Sequence, residues 1–130
     1  MSAWGSGSFE NDDASDWLYA LEADGVDQVR AALVAIGDEG NVDAVDAARA
    51  IAAAELIAAI RDAPMAGMPE EGAVFAAAHA SSMTDDDVAE AVRALGRVLS
   101  KESELAVLWT EADDPDWRTR TAGIVRRLQG

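Results

Sequence analysis

The chain has 130 residues, no cysteine, nine arginines, one lysine and 25 acidic residues, for a net charge of −15. That length supports one hydrophobic core, and the missing thiols exclude both a disulfide framework and a thiolate metal site. The negative field disfavours nucleic acid and anionic membrane and favours cations or basic proteins.

Apolar positions recur at helical spacing almost throughout and nowhere alternate long enough for a strand. The predicted fold class is therefore all-α: a compact bundle of six or seven helices, one domain over residues 1–130, with residues 1–10 an arm packed on it. Asn11 is placed to cap a first helix, with Asp12 and Asp13 in the turn where the dipole favours acids and Ala14, Trp17, Leu18 and Leu21 facing inward. Asp24 caps a second, with Val26, Val29, Leu33 and Ile36 inward and Gly37 as its stop. Asn41 or Asp43 starts the longest helix, which runs to about Asp62 ahead of Pro64.

This third helix is the expected centre, since residues 50–60 are apolar all round except at Glu55. Val45, Leu56, Ile57 and Ile60 project to one side, and Ala44, Ala48, Ala52, Glu55 and Ala59 to the other. Alanine lets neighbouring helices come close, so Glu55 faces protein and needs a partner. Residues 63–73, with two prolines and two glycines, are expected to form a loop before a short helix over 74–80. Thr84 with Asp87 has the form of a capping box, and Val88, Ala91, Val92, Leu95 and Leu99 follow as an inward stripe. Ser100 or Ser103 opens a sixth helix carrying Leu105, Leu108 and Trp109. Asp114-Pro115 puts proline at the start of a seventh, with Trp117, Thr121, Ile124, Val125 and Leu128 on one stripe.

Special residues are densest at the start, in Trp4-Gly5-Ser6-Gly7-Ser8-Phe9-Glu10-Asn11-Asp12-Asp13-Ala14-Ser15-Asp16-Trp17. Asp12, Asp13 and Asp16 lie three and four residues apart, so their carboxylates converge on one helix face and repel unless a cation, an arginine or water relieves them. One reading is a divalent metal, Mg²⁺, Mn²⁺ or Ca²⁺, on Asn11, Asp12, Asp13 and Asp16 with Glu55 completing the set. The other is structural: Asn11 caps, Asp12 and Asp13 complement the dipole, and Asp16 pairs with an arginine of the last helix. Gly5-x-Gly7 completes no phosphate loop and precedes acids that repel phosphate, so it reads as a hinge that lets Trp4 and Phe9 dock. The one histidine, His79, has no nucleophile motif around it and reads as half-buried and structural. Glu55 is either an unpaired group of raised pKa or the partner of Arg118, Arg120 or Arg126, which would hold the last helix on the central one.

The opening Trp4-Gly-x-Gly-x-Phe9-x-Asn11-Asp12-x-Ala14-x-Asp16-Trp17 resembles the start of a bacterial family known as domain of unknown function 4259. Ala53-Ala54-Glu55, Ser103-Glu104-Leu105-x-x-Leu108-Trp109, and Trp117 with Arg127-Leu128 extend the likeness over nearly the whole chain. The resemblance implies a small single-domain bacterial protein and supplies no activity.

Charge is uneven along the sequence: residues 1–92 hold three arginines against nineteen acids, and residues 115–130 hold four arginines against Asp116. A compositional bias toward Ala and Asp explains this as well as a function does. The functional expectation is a non-enzymatic interaction module, of an inhibitor or immunity-like kind, whose acidic face meets a basic protein. The alternative is a metal-binding domain or metal-dependent enzyme on Asp12, Asp13, Asp16 and Glu55. The sequence starts without a basic region leading into an apolar run, and no stretch of eighteen apolar residues follows, so a soluble, cytoplasmic chain is expected.

Overall fold

The computed structural model describes residues 12–21, 25–61, 69–79 and 82–129. In chain order the helices are α1 Asp12–Tyr19, α2 Val26–Val34, α3 Ala44–Arg61, α4 Glu70–Ala78, α5 Asp85–Val98, α6 Glu104–Glu111 and α7 Asp116–Gln129. Among the described residues there is no strand, and the one β-bridge joins Val42 to Ser103. The expected N-terminal arm and the Asn11 and Asp24 caps lie outside the described residues.

α3 packs against every other helix. Its sequence explains why: alanine is the strongest helix former and adds almost no bulk, so six neighbours approach one axis. Residues 50–60 are buried without exception, Glu55 included. Leu33, Ile36, Leu56, Ile57, Leu95 and Ile124 are the bulkiest side chains closed off from solvent. Each contributes roughly 1.5–3 kcal/mol by leaving water. Val45 departs from the expected apolar side and is exposed, because it sits in the first turn of α3, outside the enclosed length.

Local chemistry sets most helix starts as expected. Asp43 Oδ1 accepts from Asp46 N at 2.8 Å to begin α3. Thr84 and Asp87 form the reciprocal capping box of α5. Ser103 Oγ accepts from Ala106 N in α6, and Asp114 Oδ1 accepts from Asp116 N ahead of α7.

Two boundaries differ from expectation. α4 begins at Glu70, directly after Pro69, so residues 70–73 are helical rather than loop. Glu70 and Glu71 favour that first turn through the dipole, and Gly72 is buried inside the helix instead of breaking it. α2 ends at Val34, ahead of Gly37, and among the described residues the left-handed glycine is Gly40, with φ 79°. Carbonyls in the last turn of α2 and just beyond it are satisfied from α5: Arg93 Nη2 donates to Leu33 O at 3.2 Å and to Ile36 O at 2.7 Å, and Arg97 Nε donates to Gly37 O at 3.0 Å.

α6 closes on a second left-handed residue, Asp113, with φ 56°. Asp114 N donates back to Trp109 O, completing a Schellman-type turn, and aspartate is among the few L-residues that tolerate this conformation.

Candidate functional site

Of the opening motif, Trp4, Phe9 and Asn11 lie outside the described residues, while Asp12, Asp13, Asp16 and Trp17 fall on α1. Asp12 and Asp16 are exposed and Asp13 is half-buried. Among the described residues no ion pair joins Asp16 to an arginine of α7, so the expected pairing is not made there. Trp17 is half-buried rather than core, and lines a pocket of about 280 Å³ with Gln28, Ala31, Ala32, Ala35, Asp46 and Arg49.

Glu55 is 4% exposed, and its carboxylate accepts from Arg127 Nη1 at 2.6 Å. The pair ties α7 to α3, as expected, but the partner is Arg127 rather than Arg118, Arg120 or Arg126. Helical register is the reason. Ile124 and Leu128 face the core, and Arg127, three residues beyond Ile124 and adjacent to Leu128, flanks that stripe, while Arg126 lies on the outer face and is exposed. The Arg127-Leu128 pair is part of the likeness to the family, and that is the one sequence signal pointing to Arg127.

Among the described residues no three His, Asp or Glu side chains stand close enough to share a metal ion. Asp12, Asp13, Asp16 and Glu55 are therefore not gathered into one ligand set, and the Glu55 carboxylate already meets a guanidinium.

Glu104 has a structural task that its spacing did not disclose. Its Oε1 accepts from Ala44 N at 3.1 Å, which caps α3 from across the bundle. The backbone reinforces the tie: Glu104 N donates to Val42 O at 2.9 Å, and Val42 N donates to Glu102 O at 3.0 Å. Trp109 and Trp117 are both buried, as their stripes predict, and line a pocket of about 250 Å³ with Asp113, Asp114, Pro115 and Arg118. His79 is half-buried at the end of α4, its ring centroid 4.4 Å from that of Phe75.

Sequence reasoning missed the arginine clamps. Arg30 on α2 grips Asp87 with two donors, Nε to Oδ1 at 2.8 Å and Nη2 to Oδ2 at 2.9 Å, and Nη2 also donates to Ser82 O at 3.2 Å. Chiefly through the Arg30 hydrogen bonds, aided by the Thr84 backbone and opposed by burial, the Asp87 carboxyl is held down at about 2. Arg61 on α3 holds the same entry to α5, through Met83 O and the Asp85 carboxylate. Arg93 and Arg97 on α5 secure the turn after α2 and reach Asp38 and Glu102. Nothing in the sequence links Arg30 to a capping box 57 residues away.

The largest of these hollows, about 770 Å³, is an open groove along α4. Leu21, Val74, Phe75 and Ala78 form its apolar surface, and Glu70, Glu71 and His79 line the rest. Val74 is 61% exposed.

Six described helices around the alanine-rich α3, tied by the Glu55–Arg127 pair and a set of interhelical arginine clamps, define a small all-α bundle protein. The chain belongs to the family described as Domain of unknown function (DUF4259), which matches residues 2–120. No curated protein and no solved structure matches it. No described helix is long and apolar enough to cross a membrane.

Proposed function

We propose that the protein is a non-enzymatic interaction module, of an inhibitor or immunity-like kind, whose acidic surface engages a basic protein. One observation carries this reading: five of the nine arginines, Arg30, Arg61, Arg93, Arg97 and Arg127, donate to carbonyls or carboxylates on other parts of the fold. Meanwhile Asp12, Asp16, Glu70, Glu71 and Asp86 are exposed and hold no arginine among the described residues. Arginines already engaged within the fold leave the remaining surface field more one-sided than composition alone suggests. Such a field steers a cationic partner in and repels phosphate-bearing ones.

The test is affinity capture from a native lysate at low and at high salt. A basic protein retained at low salt and released at high salt supports the reading. Absence of any salt-sensitive basic partner overturns it.

A further inference from the structure

We infer that the groove along α4 receives an amphipathic helix of the partner, with apolar side chains on one face and lysine or arginine at its flanks. This rests on the acidic-module reading above and adds the place and the shape of contact. The groove surface comes from Leu21 after α1 and from Val74, Phe75 and Ala78 on α4, and an exposed valine at its mouth leaves apolar area in water. Among the described residues no lysine or arginine lines it, whereas Glu70 and Glu71, one turn before Val74, are exposed beside it. An apolar floor with a carboxylate rim is complementary to a cationic amphipathic helix.

Other occupants fit less well. Among the described residues there is no strand whose edge an extended peptide could join. A second copy would bring Glu70 and Glu71 of each chain against the same acidic rim of the other, within a molecule of net charge −15. An anionic lipid surface meets the same repulsion.

The experiment uses the full chain and a fluorescent peptide of about 18 residues, built from Lys and Leu at helical spacing, beside a scrambled peptide of equal composition that forms no apolar face. Binding is followed by anisotropy at ~0.15 M salt. Two variants each add one negative charge at an exposed valine: Val74→Glu in the groove and Val34→Glu on α2, with circular dichroism to confirm that both fold. The parent and Val34→Glu are expected to bind the amphipathic peptide alike and to prefer it to the scrambled one. Val74→Glu is expected to lose about tenfold or more in affinity despite its added charge.

If both variants bind as tightly as the parent or tighter, net charge alone attracts the peptide and the groove assignment is overturned. A concentration-dependent dimer of the parent, lost in Val74→Glu, overturns it in favour of a second copy. Capture of one basic protein equally by the parent and Val74→Glu sinks the groove while the acidic-module reading stands. A groove-dependent peptide signal with no basic protein captured from lysate sinks the module reading instead.

Discussion

The carboxylate of Asp87 accepts from Arg30 on one side and from Thr84 N on the other, and both contacts are strongest when it is ionised. With its folded value at about 2, below an unfolded aspartate near ~3.9, the stability it contributes is present above the unfolded value and is lost as pH falls through the folded one. The side chain is 11% exposed, so the contribution is about 2 kcal/mol. Asp87→Asn is therefore expected to be less stable than the parent by about 2 kcal/mol near neutrality. The gap in urea midpoints should narrow between about pH 4 and about pH 2. A gap that stays wide at the acid end would assign the loss to packing rather than charge. Glu55 makes a different demand, because removing its charge leaves the Arg127 guanidinium half-buried beside a neutral amide. Glu55→Gln is expected to cost about 1–3 kcal/mol, less than a fully enclosed pair because Arg127 reaches solvent. Thermal unfolding of Glu55→Gln, Arg127→Met and the double variant measures the coupling. A Glu55→Gln protein as stable as the parent but unable to capture its partner would move this residue from structure to function.

At the level of the helices, the starts of α3 and α6 form one junction. Val42 bridges to Ser103, Ser103 caps its own helix, and Glu104 caps its neighbour's. Glu104→Ala is expected to cost about 0.5–1 kcal/mol, the worth of an exposed cap. Hydrogen exchange should quicken most at Ala44, whose donor loses its acceptor, and uniform quickening along α3 would argue against a local cap. This junction also shows what a sequence can disclose. Caps within one turn, at Asp43, Thr84 with Asp87, and Ser103, are legible because donor and acceptor are three residues apart. The cross-cap from Glu104 is not, since 60 residues separate it from Ala44. The end of α2 escaped for the same reason: its carbonyls are met by Arg93 and Arg97, so no glycine cap was needed at Gly37. Burial of Glu55 was legible from the apolar residues around it, whereas naming Arg127 required the register of α7 against α3. The α4 groove had no signal, because Gly72 and Pro69 read as loop punctuation and concealed the first turn of the helix that builds it.

For the molecule as a whole, two electrostatic terms oppose each other. A net charge of −15 on 130 residues repels itself and favours expansion, while the arginine pairs, between helices and from helix to turn, favour the folded state. Added salt weakens both, but unequally. Repulsion between scattered surface carboxylates acts over distances comparable to the Debye length, which falls from ~30 Å at ~0.01 M salt to ~10 Å at ~0.1 M. The clamps act at contact, with Arg30 to Asp87 at 2.8 Å and Arg127 to Glu55 at 2.6 Å, inside the range where mobile ions intervene little. Their bonds to carbonyls, such as Arg93 to Ile36 at 2.7 Å, are less sensitive still. Repulsion should therefore be screened first, and the melting temperature should rise over this interval by several degrees, as a gain of about 1–2 kcal/mol would produce in a domain of this size. Asp87→Asn and Glu55→Gln should keep that rise, since each removes a contact interaction and leaves the long-range field almost unchanged. A melting temperature that falls with salt in the parent, and falls less in those two variants, would show instead that the clamps dominate the electrostatic stability of the fold.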